Sequence, residues 1–140
     1  HRLLGFLRYE VDLFRFGITV HDRCAILLPN GPELAVCLLM CVSRCTCVPI
    51  NHQQTPSEVR ALLLGTDAKA LIVLHDEEDE RVQEVVEGLA IEVIALKPSN
   101  SFQGLFSLSP HHLTSESDEE LNSARGFSRA AAKLVSKSLP

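Results

Sequence analysis

The period of the apolar positions changes repeatedly along the chain, and each change predicts an element. Leu3, Leu4, Leu7, Val11 and Phe14 recur at helical spacing, and Gly17 stands where a left-handed terminator belongs, so a first helix ends near Phe16. Residues 24–28 are a short continuous apolar run between Asp22, Arg23 and the turn Pro29, Asn30, Gly31, which predicts a buried strand. Pro32 then suits a first helical position, with Asn30 or Gly31 as cap. The helix over residues 33–44 is apolar nearly all round, implying burial on several faces. Residues 47–50 supply the next strand.

The clearest local signal is Thr55, Pro56, Ser57, Glu58. A threonine cap, a proline preset for the first turn and a glutamate three residues on make a capping box. Val59, Leu62 and Leu63 form the expected inward face, and Gly65 the expected end. Residues 70–74 read as a strand. The acids of residues 76–80 suit a helix start, with Val82, Val85, Val86 and Leu89 as its buried stripe. Residues 91–96 are the last strand expected. Strands alternating with helices predict an α/β fold, a doubly wound and mainly parallel sheet flanked by helices. Beyond Pro98 serine becomes frequent and apolar residues thin out. The expected division is residues 1–98 as the α/β unit and 99–140 as a Ser-rich, poorly structured segment. Within the latter, 99–115 reads as a loop or linker and 117–137 as a possible short helix with a poor apolar face.

At 140 residues, 46% apolar and 22% charged, the chain is sized for one globular domain. Its net charge of −5, with acids gathered at 76–87 and 116–120, argues against a nucleic-acid partner, which would need a basic patch. The longest apolar run, residues 34–42, is about half of the roughly 20 residues a membrane span needs, so no span is expected. The chain starts at His1 and its single Met40 lies inside an apolar helix, which suggests a piece of a longer product. Five cysteines, four of them crowded into residues 37–47, do not make a secreted disulfide framework, and an intracellular location is expected.

Several groups could carry chemistry. The turn over residues 28–33 joins a strand to a helix N-terminus, where anions often bind in such sheets. It lacks a Gly-rich phosphate motif, Pro32 removes one N–H, and Glu33 would repel a phosphate, so a structural connector is the favoured reading. Cys37, Cys41 and Cys45 share a helix face beside Cys47, but their apolar surroundings favour core packing over zinc, with a redox-sensing pair as the remainder. His111 and His112 with Glu116 and Asp118 have metal-ligating atoms, yet read as a solvated loop. The acids of 76–80 complement a helix dipole without needing a metal. Asn51 and His52 follow a strand at the edge where ligands gather, and substrate contact or a turn role fit them equally. No serine, histidine and acid arrangement supports a nucleophile. No catalytic, cofactor-binding or metal residue is therefore assigned.

The segment from Asp22, DRCAILLPNGPELAVCLLMCVSRCTCVPIN, followed by HQQTPSEVRALLLGTDAKALIV, resembles the N-terminal part of the AMP-dependent synthetase and ligase superfamily. These are the adenylate-forming enzymes: acyl-CoA synthetases, luciferases and peptide-synthetase adenylation domains. A GDRVAI-type strand, an LPN-x-x-E turn, an apolar helix, V-P-(L/I)-N before a T-x-x-E helix, and an AKALI-type strand are matched in order at residues 22–26, 28–33, 48–51, 55–59 and 68–72. The resemblance implies a two-step reaction. A carboxylate attacks ATP to give an acyl-adenylate and pyrophosphate, and a thiol such as coenzyme A then takes the acyl group. It implies ATP, Mg2+ and CoA for the full-length parent, with a carboxylic acid as substrate and the remainder of the parent enzyme as partner. No cofactor is expected for this fragment.

In the family, the phosphate loop ending in Pro-Lys, the later Y-x-x-T-E segment, a ribose-binding Asp and a mobile-domain Lys carry the chemistry. None of these matches a position here, and the sequence is expected to stop just before the phosphate loop. Two departures stand out. His21 and Cys45 occupy positions where members usually carry glycine, and a positive φ at Cys45 would strain it by roughly 1 kcal/mol. The leading reading is a structural fragment of an acyl-CoA synthetase-like ligase, inactive alone, with a cytoplasmic or peroxisomal location. The alternatives are a free-standing flavodoxin-like binding or interaction module, or a pseudoenzyme.

Overall fold

A computed structural model describes residues 13–111. The predicted first helix is seen only at its end, as a 3-10 turn over Leu13–Phe16 closed by Gly17 at φ +77°, and its earlier positions lie outside the described residues. The helix expected over 117–137 lies outside them too.

Five strands form one sheet: β1 (Arg23–Leu27), β2 (Thr46–Pro49), β3 (Ala70–Leu74), β4 (Glu92–Pro98) and β5 (Phe106–Pro110), in spatial order β2-β1-β3-β4-β5. The first four strands run parallel, with Cys24 opposite both Cys47 and Ala70, and Ile72 opposite Ile94. Three helices join them: α1 (Pro32–Arg44), α2 (Pro56–Thr66) and α3 (Asp79–Val86). α1 and the 3-10 turn cover one face, where Leu13, Cys37, Met40 and Cys41 meet Cys24, Ile26, Ile72 and Ile94. α2 and α3 cover the other, where Val59, Leu63, Val82 and Val85 meet Ala25, Leu27, Leu71 and Val73. Alternate residues of each central strand therefore enter different cores, as a sheet buried on both faces requires. The predicted doubly wound α/β architecture is the one found.

Local departures have physical causes. Phe106–Pro110, expected to be loop, pairs antiparallel with β4. Phe106 and Leu108 are buried while Ser107 and Ser109 face solvent, a two-residue alternation that the local serine content obscured. Pro110 is tolerated because β5 is an edge strand. Gly65 does not end α2. The helix runs on to Thr66 and stops at Asp67, which takes the left-handed conformation at φ 53°. Aspartate is among the few non-glycine residues that tolerate it.

α1 is buried on one face only. Leu39 and Val42 are 59% and 69% exposed, against an expectation of burial on several sides. Leu62 of α2, expected inward, is 37% exposed. Cys45 caps α1 in an extended conformation (φ −157°, ψ −175°), so the strain foreseen there is absent.

Candidate functional site

Parallel strands bring the ends of β1, β2, β3 and β4 to one edge of the sheet, and every β–α turn gathers there. The strand order reverses between β1 and β3, and ligands of such sheets collect near that point. Beside it, over the ends of β1 and β2, lies a cleft of about 510 Å³. Leu28, Leu34 and Ile50 supply apolar wall, while Asn30, Asn51, His52 and Gln53 supply polar rim.

The first wall is the β1–α1 turn. Gly31 caps α1 in an extended conformation with no side-chain hydrogen bond, and Pro32 occupies the first turn. Glu33 turns its carboxylate to the β4–β5 loop, where Oε1 accepts the Gly104 N–H at 3.4 Å. That loop approaches closely: a Cβ on Gly104 would stand 3.1 Å from Val36 Cγ2. Glu33 is therefore occupied in fastening a hairpin to α1.

The second wall is the β2–α2 turn. Ile50 N–H extends the ladder to Ile26 O at 2.9 Å. Asn51 Oδ1 accepts the Gln53 N–H at 3.0 Å, a side-chain turn that accounts for the asparagine, although the residue still lines the cleft. His52 Nε2 donates to Glu77 Oε2 at 2.9 Å, and Arg81 Nη1 donates to Glu77 Oε1 at 2.9 Å. Arg81 Nη2 reaches further, to the carbonyl oxygens of His52 and Gln54. Burial would raise the Glu77 carboxyl, but hydrogen bonds from His52 and then Arg81 outweigh it and hold the group below the ordinary carboxylate range. The three side chains thus strap the β2–α2 turn to the β3–α3 turn. Glu77 and Arg81 sit at the acid-then-base spacing of a helix pair. Nothing local in the sequence announces that His52, 25 residues earlier, completes the set.

The remaining acids of 76–80 are dispersed. Glu78 is the α3 cap residue without a side-chain cap bond, and Asp79 and Glu80 occupy the first turn. Asp79 Oδ1 lies 3.7 Å from Nε2 of His111. The His111 side chain is only 5% exposed and its main chain continues the β4–β5 ladder to Val93 O, so the solvated-loop expectation fails for this histidine. His112, Glu116 and Asp118 lie outside the described residues. Among the described residues, no group of three or more His, Cys, Asp or Glu side chains is arranged to hold a metal ion. Cys24, Cys37 and Cys41 are buried in the apolar core, and Cys45 and Cys47 are half-buried beside it. Among the described residues, no helix is long and apolar enough to cross a membrane.

At the opposite edge, Asp22 accepts the Thr19 N–H and hydroxyl at 2.8 and 3.0 Å and meets Lys69 Nζ at 3.3 Å. The Thr19 N–H is the first of the contacts that hold its carboxyl below the ordinary range. This first acid of the 22–26 motif closes a turn far from the cleft.

The family described as AMP-binding enzyme matches residues 12–125, most of the chain. Apo MatB from Rhodopseudomonas palustris is similar in structure at 21% identity and a TM-score of 0.52, over 60% of this chain and 17% of that one. A benzoate CoA ligase from Burkholderia xenovorans LB400 is similar at 17% identity and a TM-score of 0.55, over 82% of this chain and 23% of that one. An ATP-bound RpMatB–BxBclM chimera is similar at 17% identity and a TM-score of 0.54, over 71% of this chain and 22% of that one. The chain therefore spans 17–23% of the length of these structures. At such identities the likeness is one of fold. No curated protein matches the sequence.

Proposed function

This chain belongs to the AMP-binding enzyme family, and from that premise we propose that it is the N-terminal α/β part of an ATP-dependent acid–thiol ligase. The parent enzyme activates a carboxylate as an acyl-adenylate and passes it to a thiol. The observation that carries this reading is the family match over residues 12–125 on a five-stranded doubly wound sheet. In it the chain is scaffold. Its most polar turn contacts, Glu33 to Gly104 and the His52, Glu77, Arg81 strap, are spent on holding loops, and it is inactive alone. ATP, Mg2+ and coenzyme A belong to the full-length parent, whose remainder is the partner of this piece. Five unpaired thiols suit an intracellular compartment, cytoplasmic or peroxisomal.

ATP–pyrophosphate exchange across a panel of carboxylic acids tests the reading. The chain by itself should give no exchange above background, and a longer product that continues through a Ser/Thr/Gly loop ending in Pro-Lys should give it. Exchange by the 140-residue chain alone would overturn the scaffold assignment. Saturable binding of ATP to that chain without exchange would favour a free-standing binding module instead.

A further inference from the structure

A surface helix normally turns its charged residues away from the core. α1 does the reverse. Its only two charged residues, Glu33 and Arg44, fall at helical spacing with the buried Cys37, Met40 and Cys41, on the side that meets the sheet. Both are half-buried. The exposed side carries Pro32, Ala35, Leu39 and Val42, three and four residues apart, and no charge at all. Ser43 is the one polar side chain exposed on the helix, and its hydroxyl donates to Met40 O at 2.7 Å. Covering this side would leave no side-chain donor unpaired. The other helices differ. α3 exposes Glu80, Gln83 and Glu84, and on α2 the exposed Leu64 shares its side with Ser57 and Arg60. Those two helices present solvent faces; α1 presents an apolar one.

We propose that the outer side of α1 is an interface, covered in the parent enzyme by an apolar, uncharged layer of the chain that follows Pro140.

This rests on the reading of the chain as the N-terminal part of a longer ligase. Size selects the occupant. With 13 residues α1 is about 20 Å long and about 10 Å wide, so its outer side offers about 200 Å². A separate protein needs about 800 Å² on each partner, so neither a second copy nor a free partner gains enough here. A contact within one chain needs less, from about 600 Å² in total, and tethering supplies an effective concentration in the millimolar range. α1 then contributes one strip of that contact. The chain spans about a fifth of the solved structures it resembles, so a parent of their size has ample length to supply the covering layer. Strand addition at the neighbouring β2 edge is a poorer route. Thr46 and Ile50 turn their N–H groups to β1, which leaves Pro49 at an outward position with no N–H to give. The partner is therefore a layer laid across the helix, not a strand added to the sheet.

The test compares the 140-residue chain with a longer product of the same reading frame, each with and without the pair Leu39→Glu and Val42→Lys. The pair adds no net charge, and Glu three residues before Lys supports a helix. Both sites are exposed in the chain alone, so its thermal midpoint should stay within about 2 °C. In the longer product the same pair places two charges in an apolar contact and should lower the midpoint by about 5 °C or more. Leu39→Ala, a milder change, should give the same contrast at smaller size in a product that the charged pair prevents from folding. Pyrophosphate exchange by the unsubstituted longer product reads the ligase assignment separately. A midpoint shift without exchange would remove the ligase and keep the packing. Equal shifts in the two lengths, or a stop codon directly after Pro140, would overturn the interface. So would sedimentation of the chain alone as a dimer that the charged pair makes monomeric, because a second copy would then be the cover.

Discussion

The two faces of the sheet are built on different terms. On the α2–α3 face, Val59, Leu63, Val82 and Val85 fill the core, and directional bonds fix the start of α2 and the turn that leads into α3. Thr55 accepts the Glu58 N–H while Glu58 accepts the Thr55 N–H, and the Glu77, Arg81 and His52 set ties the next turn to α2's approach. On the α1 face, the core is methionine and cysteine against the strands, and the cap Gly31 offers no side-chain bond. That face is held by soft apolar packing and by a neighbouring hairpin loop, and its outer side leaves Leu39 and Val42 in solvent. α2 therefore carries its own start signal, while α1 takes its definition from tertiary neighbours.

Truncating the central side chain of each layer gives the largest test of that contrast. Leu63→Ala should cost about 3 kcal/mol, since a fully buried leucine leaves a cavity among β-branched neighbours that relax poorly. Met40→Ala should cost less, about 2 kcal/mol, because an unbranched side chain among the small thiols of Cys24, Cys37 and Cys41 leaves a gap that its neighbours fill more readily. Urea midpoints at constant m-value measure both. Equal losses, or a larger loss at Met40, would remove the distinction in packing.

The charged strap gives the next effect. Glu77→Gln keeps the shape but removes the charge that Arg81 and His52 share, and should cost about 2 kcal/mol at neutral pH. The sign of its pH dependence is fixed by the carboxyl being depressed in the folded chain. Its contribution is complete above the ordinary glutamate range and is lost as pH falls through the lower folded-state value. The stability gap between the parent chain and Glu77→Gln, followed by thermal unfolding, should therefore close on acidification. A gap that widened toward low pH would contradict the strap.

What the sequence disclosed divides along the same line. The capping box at Thr55, the valine stripe of α3 and the strand–helix alternation are local patterns, and each appeared where its period placed it. The ordered motifs of residues 22–72 gave the family, which the match over 12–125 bears out. The misses are tertiary. β5 is stabilised by pairing with β4, and only its Phe106 and Leu108 alternation hinted at it. The end of α2 was set by Asp67 adopting a left-handed conformation that the nearby Gly65 did not need. At the site, the acids of 76–80 were read only as a helix start, and His52 meets Glu77 and Arg81 because the parallel strands β2 and β3, with β1 between them, end at one edge of the sheet. The outer side of α1 was misjudged because composition cannot say whether an apolar residue has a neighbour to bury it.

On the α1 face, the hairpin contact should be sensitive to one methyl group. Gly104 sits at φ +86° with Val36 Cγ2 where a Cβ would come within 3.1 Å. Gly104→Ala should cost about 1.5 kcal/mol from the left-handed backbone and the crowding together. Hydrogen exchange should report the loss chiefly as faster exchange at β5 and at the start of α1. A uniform change across the sheet would mean that the loop does not fasten this face in particular.

The helix starts themselves supply the smallest and sharpest test. Thr55→Ala removes the side chain that accepts the Glu58 N–H and should cost about 1 kcal/mol. Gly31→Ala at the other cap removes no side-chain hydrogen bond and should cost less than Thr55→Ala. Gly31 already makes no side-chain cap bond, its backbone is extended, and the added Cβ would meet only Glu33 Oε2 at 3.6 Å. The comparison depends on the ratio rather than on either number. If α1 were defined at its start as α2 is, the two caps would respond alike; a smaller loss at Gly31 in urea-unfolding free energy places the definition of α1 in what packs against it.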